Sequence, residues 1–324
     1  MNPVILFVSK LPAEIKNVWI EKIQKALPEE LIVVTKNIAS TELGRTVSDS
    51  AEIDKIEIAI VANPDLAELK KLKSLKWVHA LGAGVEGLID VARENKFQIV
   101  RMIDPNLANT MAESVLVWTL FINKKIPTYL EQQNNKLWKQ QDCVSAYNCK
   151  VGFLGLGEMG IASANKLLEN NFQVLGWSRS KKSIDGVQTF YGERELNDFV
   201  SQCQILICLL PLTNETKGII NRRLLKKLPK GASVINFSRG GMLNTDDLIK
   251  ELDSEHIYHA VLDVFDQEPL AQESVLWSHN QITVLPHVAA ITDPDTAAVI
   301  VAKNIKNYRN TSELREVVNL ARGY

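Results

Sequence analysis

Short apolar runs alternate with longer stretches of helical period along most of the chain, and the alternation is sharpest after Lys150. Runs of four to six apolar residues bounded by turn formers read as buried strands, and apolar positions recurring every three to four residues read as amphipathic helices. The pattern predicts strands at Val151–Leu154, Phe172–Trp177, Ile205–Leu210, Ala232–Phe237, Ala260–Val264 and Ile282–Leu285. Helices are expected between them at Met159–Glu169, Glu193–Ser201, Thr216–Leu228 and Thr245–Leu252. Six short strands joined mainly through helices need right-handed crossovers, which implies a parallel sheet covered on both faces. That is a doubly wound α/β domain. Upstream, strands at Val4–Val8, Ile56–Val61 and Trp77–Leu81 and helices at Ala13–Ala26 and Asn109–Ile122 repeat the pattern more weakly, as a second α/β unit.

The 324 residues suit two domains of ordinary size. Hydrophobic residues at 46% and charged residues at 23% describe a globular chain rather than a disordered or fibrous one. Lys+Arg 37 against Asp+Glu 38 leaves no overall field to favour nucleic acid or an anionic membrane. The longest apolar runs, Ile205–Leu212 and Val115–Ile122, fall far short of the roughly 20 residues of a spanning helix. The start has no basic region and too few apolar residues for a signal peptide, so a cytoplasmic location is expected. Cys143, Cys149, Cys203 and Cys208 form no C-x-x-C pair, and reduced, mostly structural thiols are expected.

Gly155-Leu156-Gly157-Glu158-Met159-Gly160 follows a predicted strand and opens a predicted helix. In that context a G-x-G-x-x-G string points to a dinucleotide. The first glycine makes the tight turn, the second clears space for a pyrophosphate, and the third lets helix and strand pack closely. The helix N-terminus offers unpaired N–H groups to the phosphates. Enzymes that use NAD usually place an acid after the next strand to hold the ribose 2′-hydroxyl. Here that position reads Trp177-Ser178-Arg179-Ser180-Lys181-Lys182, with no acid until Asp185. Arg179 can meet a 2′-phosphate bidentately and Ser178 and Ser180 can donate to it, so NADPH is expected as the preferred cofactor, with NADH possible.

Three residues follow the later strands: Arg239 in Ser238-Arg239-Gly240-Gly241, Glu268 in Glu268-Pro269-Leu270, and His287 in Pro286-His287-Val288-Ala289-Ala290. Carboxyl ends of parallel strands share one edge, where ligands bind, so an arginine, a carboxylate and a histidine should converge there. A histidine titrating near neutrality can give a proton to a carbonyl oxygen, a carboxylate beside it can fix its tautomer, and an arginine can hold a substrate carboxylate. His256 and His259 have H-x-x-H spacing but no further ligand pattern, and no metal is expected. Leu81-Gly82-Ala83-Gly84-Val85 ends an earlier strand, where backbone N–H groups of Ala83, Gly84 and Val85 could receive an anion.

Taken in this order, the glycine turn, Arg-Gly-Gly, Glu-Pro-Leu and Pro-His-Val-Ala-Ala resemble the D-isomer-specific 2-hydroxyacid dehydrogenases, most nearly their bacterial glyoxylate/hydroxypyruvate reductase branch. Leu81–Val85 and the closing Ala321-Arg322-Gly323-Tyr324 also match that branch. The resemblance implies two Rossmann- or flavodoxin-like domains with a cleft between them that closes on substrate. Residues 1–103 with 291–324 would form the substrate domain and 104–290 the NAD(P) domain. It implies a catalytic set of Arg239, Glu268 and His287, and a substrate bound by Ala83, Gly84, Val85, Arg239 and His287. The cofactor would be held by Gly155, Leu156, Gly157, Glu158, Met159, Gly160, Trp177, Ser178, Arg179, Ser180, Leu210, Pro211, Thr216, Phe237, Asp263 and His287. The implied reaction is reduction of a small 2-oxo acid, glyoxylate or hydroxypyruvate. Other dehydrogenases of the same family and a non-catalytic nucleotide sensor remain open as alternatives. Trp138, in the long connection before Val151, is expected at a homodimer contact.

Overall fold

The computed structural model describes residues 4–35, 45–47 and 53–324. The chain divides into two compact units, residues 1–106 with 292–324 and residues 107–291. In the first unit, β1 (Ile5–Ser9), β2 (Ile32–Thr35), β3 (Arg45–Val47), β4 (Ile58–Ala62), β5 (Trp77–Ala80) and β6 (Gln98–Val100) form a parallel sheet in the order β3-β2-β1-β4-β5-β6. Alternate residues serve opposite faces. Leu6, Val8, Ala59, Val61, Val78 and Ala80 fill one core. Ile5, Phe7, Ile60, Trp77 and His79 are buried on the other face, where the Trp77 ring meets the edge of Tyr308 on the helix Pro294–Thr311.

The second unit carries β7 (Lys150–Leu154), β8 (Gln173–Ser178), β9 (Val187–Tyr191), β10 (Ile205–Cys208), β11 (Ala232–Asn236), β12 (Ile257–Leu262) and β13 (Ile282–Val284). All pair in parallel, in the order β13-β12-β11-β10-β7-β8-β9. Leu206 and Cys208 of β10 enter one core while Ile205 and Ile207 enter the other, so both faces are covered as a doubly wound sheet requires. Chain order reverses between β7 and β10, which makes their carboxyl ends the switch point where such sheets bind ligands.

Two expectations need correction. The sheet has a seventh strand, β9, at its edge, whose residues are only partly buried and so leave no apolar run to mark them. The stretch Thr216–Leu228 is not one helix: only Arg222–Leu225 is helical. Gly218 sits at φ +65°, Ile220 bridges to Leu243, and the Asn221 side chain caps the short helix by accepting from the Leu224 N–H. Left-handed backbone followed by a cap starts a new element there.

Each unit buries a neutral histidine. His79 Nδ1 donates to the Ala80 carbonyl at 3.0 Å, and Nε2 lies 2.9 Å from the Asn304 amide nitrogen, from which it accepts. His259 Nε2 lies 2.9 Å from Thr283 Oγ1. Burial lowers both imidazoles from the ordinary 6.5 to about 4. The unfolded chain therefore takes up these protons first, and the folded state loses stability as pH falls from 6.5 towards 4. The loss reaches about 3 kcal/mol per histidine at most. Urea midpoints measured between pH 7.5 and 4.5 should fall through this window, and His79→Gln should flatten the slope.

Candidate functional site

At the switch point the three glycines of the turn do different things. Gly155 has φ +107°, and a Cβ on it would lie 2.9 Å from the backbone of Leu209, at the end of β10. A Cβ on Gly160 would meet the Gly155 carbonyl oxygen at 2.2 Å. Both positions are closed to any side chain. Gly157 differs: nothing lies within 4 Å of its Cβ direction. It is the N-cap of the helix Glu158–Glu169 and no side chain caps that helix. Open space beside an uncapped helix N-terminus suits the two phosphates of a dinucleotide, so the residues present fit the expected cofactor.

Leu156, between the first two glycines, is fixed at both ends. Its side chain lies where a Cβ on Gly176 of β8 would fall, within 2.5 Å. Its carbonyl accepts from Lys182 Nζ at 2.5 Å. No local motif marks Lys182 for this role, because its acceptor lies 26 residues upstream. In the basic loop, Ser178 is buried and its Oγ donates to the Ser180 carbonyl at 2.7 Å. Arg179 and Ser180 are left exposed, and Arg179 Nη1 lies 3.4 Å from Glu215 Oε2. Trp177 turns inward: its ring joins the core and its indole N–H donates to the Gly192 carbonyl. Phe237 is likewise a core side chain. Thr216 Oγ1 donates to the Pro211 carbonyl at 2.7 Å, tying the turn after β10. Leu210 closes the far side of this turn, its carbonyl accepting from the Ser238 hydroxyl.

Arg239, Glu268 and His287 leave the carboxyl ends of β11, β12 and β13, neighbours in the sheet. His287 Nδ1 lies 2.7 Å from Glu268 Oε2, and Glu268 Oε1 accepts from the Phe265 N–H at 2.9 Å. Glu268 is thus held by its own loop and in turn orients the imidazole. A nitrogen facing a carboxylate carries hydrogen, so Nε2 is the atom left to exchange a proton with a ligand. His287 has φ +56°, an uncommon conformation for a residue with a side chain. Asp263 holds it there. The His287 N–H donates to the Asp263 backbone carbonyl, while the buried carboxylate accepts from Val288 N at 2.7 Å and Ala289 N at 3.0 Å. Burial raises the Asp263 carboxyl, and those two N–H donors oppose the rise. Asp263 thus has both carboxylate oxygens on the histidine loop.

The Arg239 loop packs directly on the Glu268 loop. A Cβ on Gly240 would fall 2.0 Å from the Phe265 carbonyl carbon and 2.2 Å from Asp266 N. Arg239 is half-buried, its Nη1 donates to the Ser238 carbonyl at 2.6 Å, and its own carbonyl accepts from Asn236 Nδ2 at 2.9 Å. Asn236 also accepts from the Ser238 N–H, making it a clamp on the arginine turn that no short motif would reveal. His256 and His259 diverge, towards the Leu225 carbonyl and Thr283. In the first unit, Ala83 and Gly84 follow β5 at the surface, and the Val85 side chain enters the core.

The model of the D-isomer specific 2-hydroxyacid dehydrogenase NAD-binding domain matches residues 116–289. The chain is similar over its whole length, and that of the other chain, to a D-isomer specific 2-hydroxyacid dehydrogenase from Xanthobacter autotrophicus Py2 solved with NADPH and MES, at 34% identity and a TM-score of 0.91. It is also similar to an NADPH-dependent glyoxylate/hydroxypyruvate reductase from Sinorhizobium meliloti solved with NADP and sulfate, at 29% identity and a TM-score of 0.86, with 100% of both chains covered. A probable 2-hydroxyacid dehydrogenase from Rhizobium etli CFN 42, solved with NADP, HEPES and L(+)-tartaric acid, shares 29% identity with a TM-score of 0.87, again with 100% of both chains covered.

The glycine geometry separates binding from folding. Gly157→Ala should change stability by less than about 1 kcal/mol, since its Cβ meets no atom, while weakening dinucleotide binding. Gly160→Ala should lower the urea midpoint clearly, because its Cβ would strike the Gly155 carbonyl. Paired urea titrations and titration calorimetry of the two variants check both.

Proposed function

Since the chain belongs to the D-isomer specific 2-hydroxyacid dehydrogenases, oxidoreductases that use NAD(P)H, we propose that it is an NADPH-dependent reductase of small 2-oxo acids, converting glyoxylate to glycolate and hydroxypyruvate to D-glycerate. The observation that carries this reading is the His287–Glu268 pair at 2.7 Å, beside the Arg239 turn.

The glycine turn and the uncapped helix at Glu158 would hold the pyrophosphate, and Arg179 with Ser180 would hold the 2′-phosphate. The nicotinamide, when bound, supplies a hydride to the carbonyl carbon. Arg239 pairs with the substrate carboxylate and draws negative charge onto the carbonyl oxygen. His287 gives its Nε2 proton to the forming alkoxide, and Glu268 stabilises the imidazolium beforehand and keeps Nδ1 as the protonated nitrogen afterwards. Asp263 acts through His287, as a positioning residue.

A second copy of the chain is assigned to the apolar surface of the second unit, where Trp138 is 99% exposed and Val117, Leu130, Leu137 and Tyr147 are also exposed. Among the described residues no helix is long and apolar enough to cross a membrane, and the balanced charge gives no overall field to favour a nucleic-acid partner.

Loss of reduced-cofactor absorbance with glyoxylate or hydroxypyruvate should be fast with NADPH and slow with NADH. His287→Ala should lower kcat by about 100- to 10,000-fold with little effect on cofactor binding, as removal of a general acid does. Full turnover by that variant would refute the assignment. Light scattering should give a dimer, and Trp138→Asp should shift it towards monomer.

A further inference from the structure

The chain carries no acid between Arg179 and Asp185, where a carboxylate would select against a 2′-phosphate. The fold supplies one from elsewhere. Glu215 belongs to the turn after β10, and its Oε2 lies 3.4 Å from Arg179 Nη1. Both side chains are open to solvent, at 44% for Arg179 and 73% for Glu215. The turn that presents Glu215 is stiffened on both sides. Thr216 Oγ1 accepts from the Thr213 N–H at 2.8 Å and donates to the Pro211 carbonyl at 2.7 Å, and the Lys217 N–H donates to the Thr213 carbonyl at 2.9 Å. The other loop is stiffened as well: Ser178 Oγ is bonded to the Ser180 carbonyl, and Thr189 Oγ1 donates to the Lys182 carbonyl at 2.8 Å. Two braced loops from the ends of β8 and β10 thus place a carboxylate against the guanidinium that faces the adenosine ribose.

We propose that Glu215 is a specificity-determining residue: it neutralises part of the Arg179 charge and so limits how strongly the site prefers a 2′-phosphate over a 2′-hydroxyl. The inference rests on the assignment of Arg179 to the 2′-phosphate. Two effects act in the same direction. A phosphate arriving at Arg179 must compete with the carboxylate for guanidinium N–H groups, and it also enters as a dianion beside a like charge. A ligand with a plain 2′-hydroxyl meets neither penalty, since a carboxylate accepts from a hydroxyl. Because the pair is exposed, the effect is modest and weakens with salt.

The test uses the full chain at low ionic strength, with titration calorimetry of adenosine 2′,5′-bisphosphate and of adenosine 5′-monophosphate, so that no turnover is needed. Glu215→Gln should bind the bisphosphate about three- to fivefold tighter and the monophosphate no tighter, with the gain shrinking as salt is raised. Unchanged or weaker binding of the bisphosphate, or an equal gain for both ligands, overturns the proposal. Arg179→Ala separates the two readings. If it abolishes the preference for the bisphosphate while Glu215→Gln has no effect, only the role of Glu215 fails. If it leaves the preference intact, the assignment of Arg179 fails and this inference falls with it.

Discussion

Parallel pairing of all seven strands makes every strand of the second unit end on one edge of the sheet. Whatever follows those strands is brought together however far apart it lies in the chain. The glycine turn follows β7, the basic loop β8, the Glu215 turn β10, and Arg239, Glu268 and His287 follow β11, β12 and β13. The reversal of chain order between β7 and β10 opens the crevice at the middle of that edge. Right-handed crossovers through helices on both faces impose this arrangement, and the site is its consequence.

Shared placement brings loops within reach of one another but does not aim side chains. That finer work falls to glycines and to buried polar groups. Gly240 lets the arginine turn lie against the backbone of Phe265 and Asp266, which no residue with a Cβ could do. Asp263 holds the histidine loop through three hydrogen bonds, one to its carbonyl and two to its carboxylate, and so keeps His287 at a positive φ that costs on the order of 1 kcal/mol. A buried carboxylate satisfied by backbone N–H groups cannot relax without leaving those donors unpaired, so the loop has one well-defined arrangement. The imidazole then meets Glu268 at 2.7 Å, an arrangement set by the protein's own backbone and side chains.

The same division runs through the cofactor side. Gly155 and Gly160 shape the turn by exclusion, and Gly157 keeps space free. Leu156 is held by Gly176 on the neighbouring strand and by Lys182 from the basic loop, so the glycine turn and the basic loop are mechanically linked. The Arg179–Glu215 pair adds a link from the basic loop to the turn after β10.

By itself the amino-acid sequence determined the α/β class, most of the buried strands and the string of chemistry-bearing residues at their ends. These depend on local signals: apolar runs long enough to bury a strand, helical periodicity, and glycines in a fixed relation to both. It did not mark β9, whose partly buried residues earn their place only by pairing with β8, nor the break at Gly218, which depends on the bridge from Ile220 to Leu243. It also missed the roles of Asn236, Lys182 and Glu215 and the hold of the Asp263 carboxylate on the histidine loop. Each of the hydrogen bonds and the ion pair that give Lys182, Glu215 and the Asp263 carboxylate their roles joins residues 25 to 36 positions apart. Only the tertiary structure decided those partners, because a polar group's role is set by what the folded backbone brings within about 3 Å of it, and no local pattern encodes that distance.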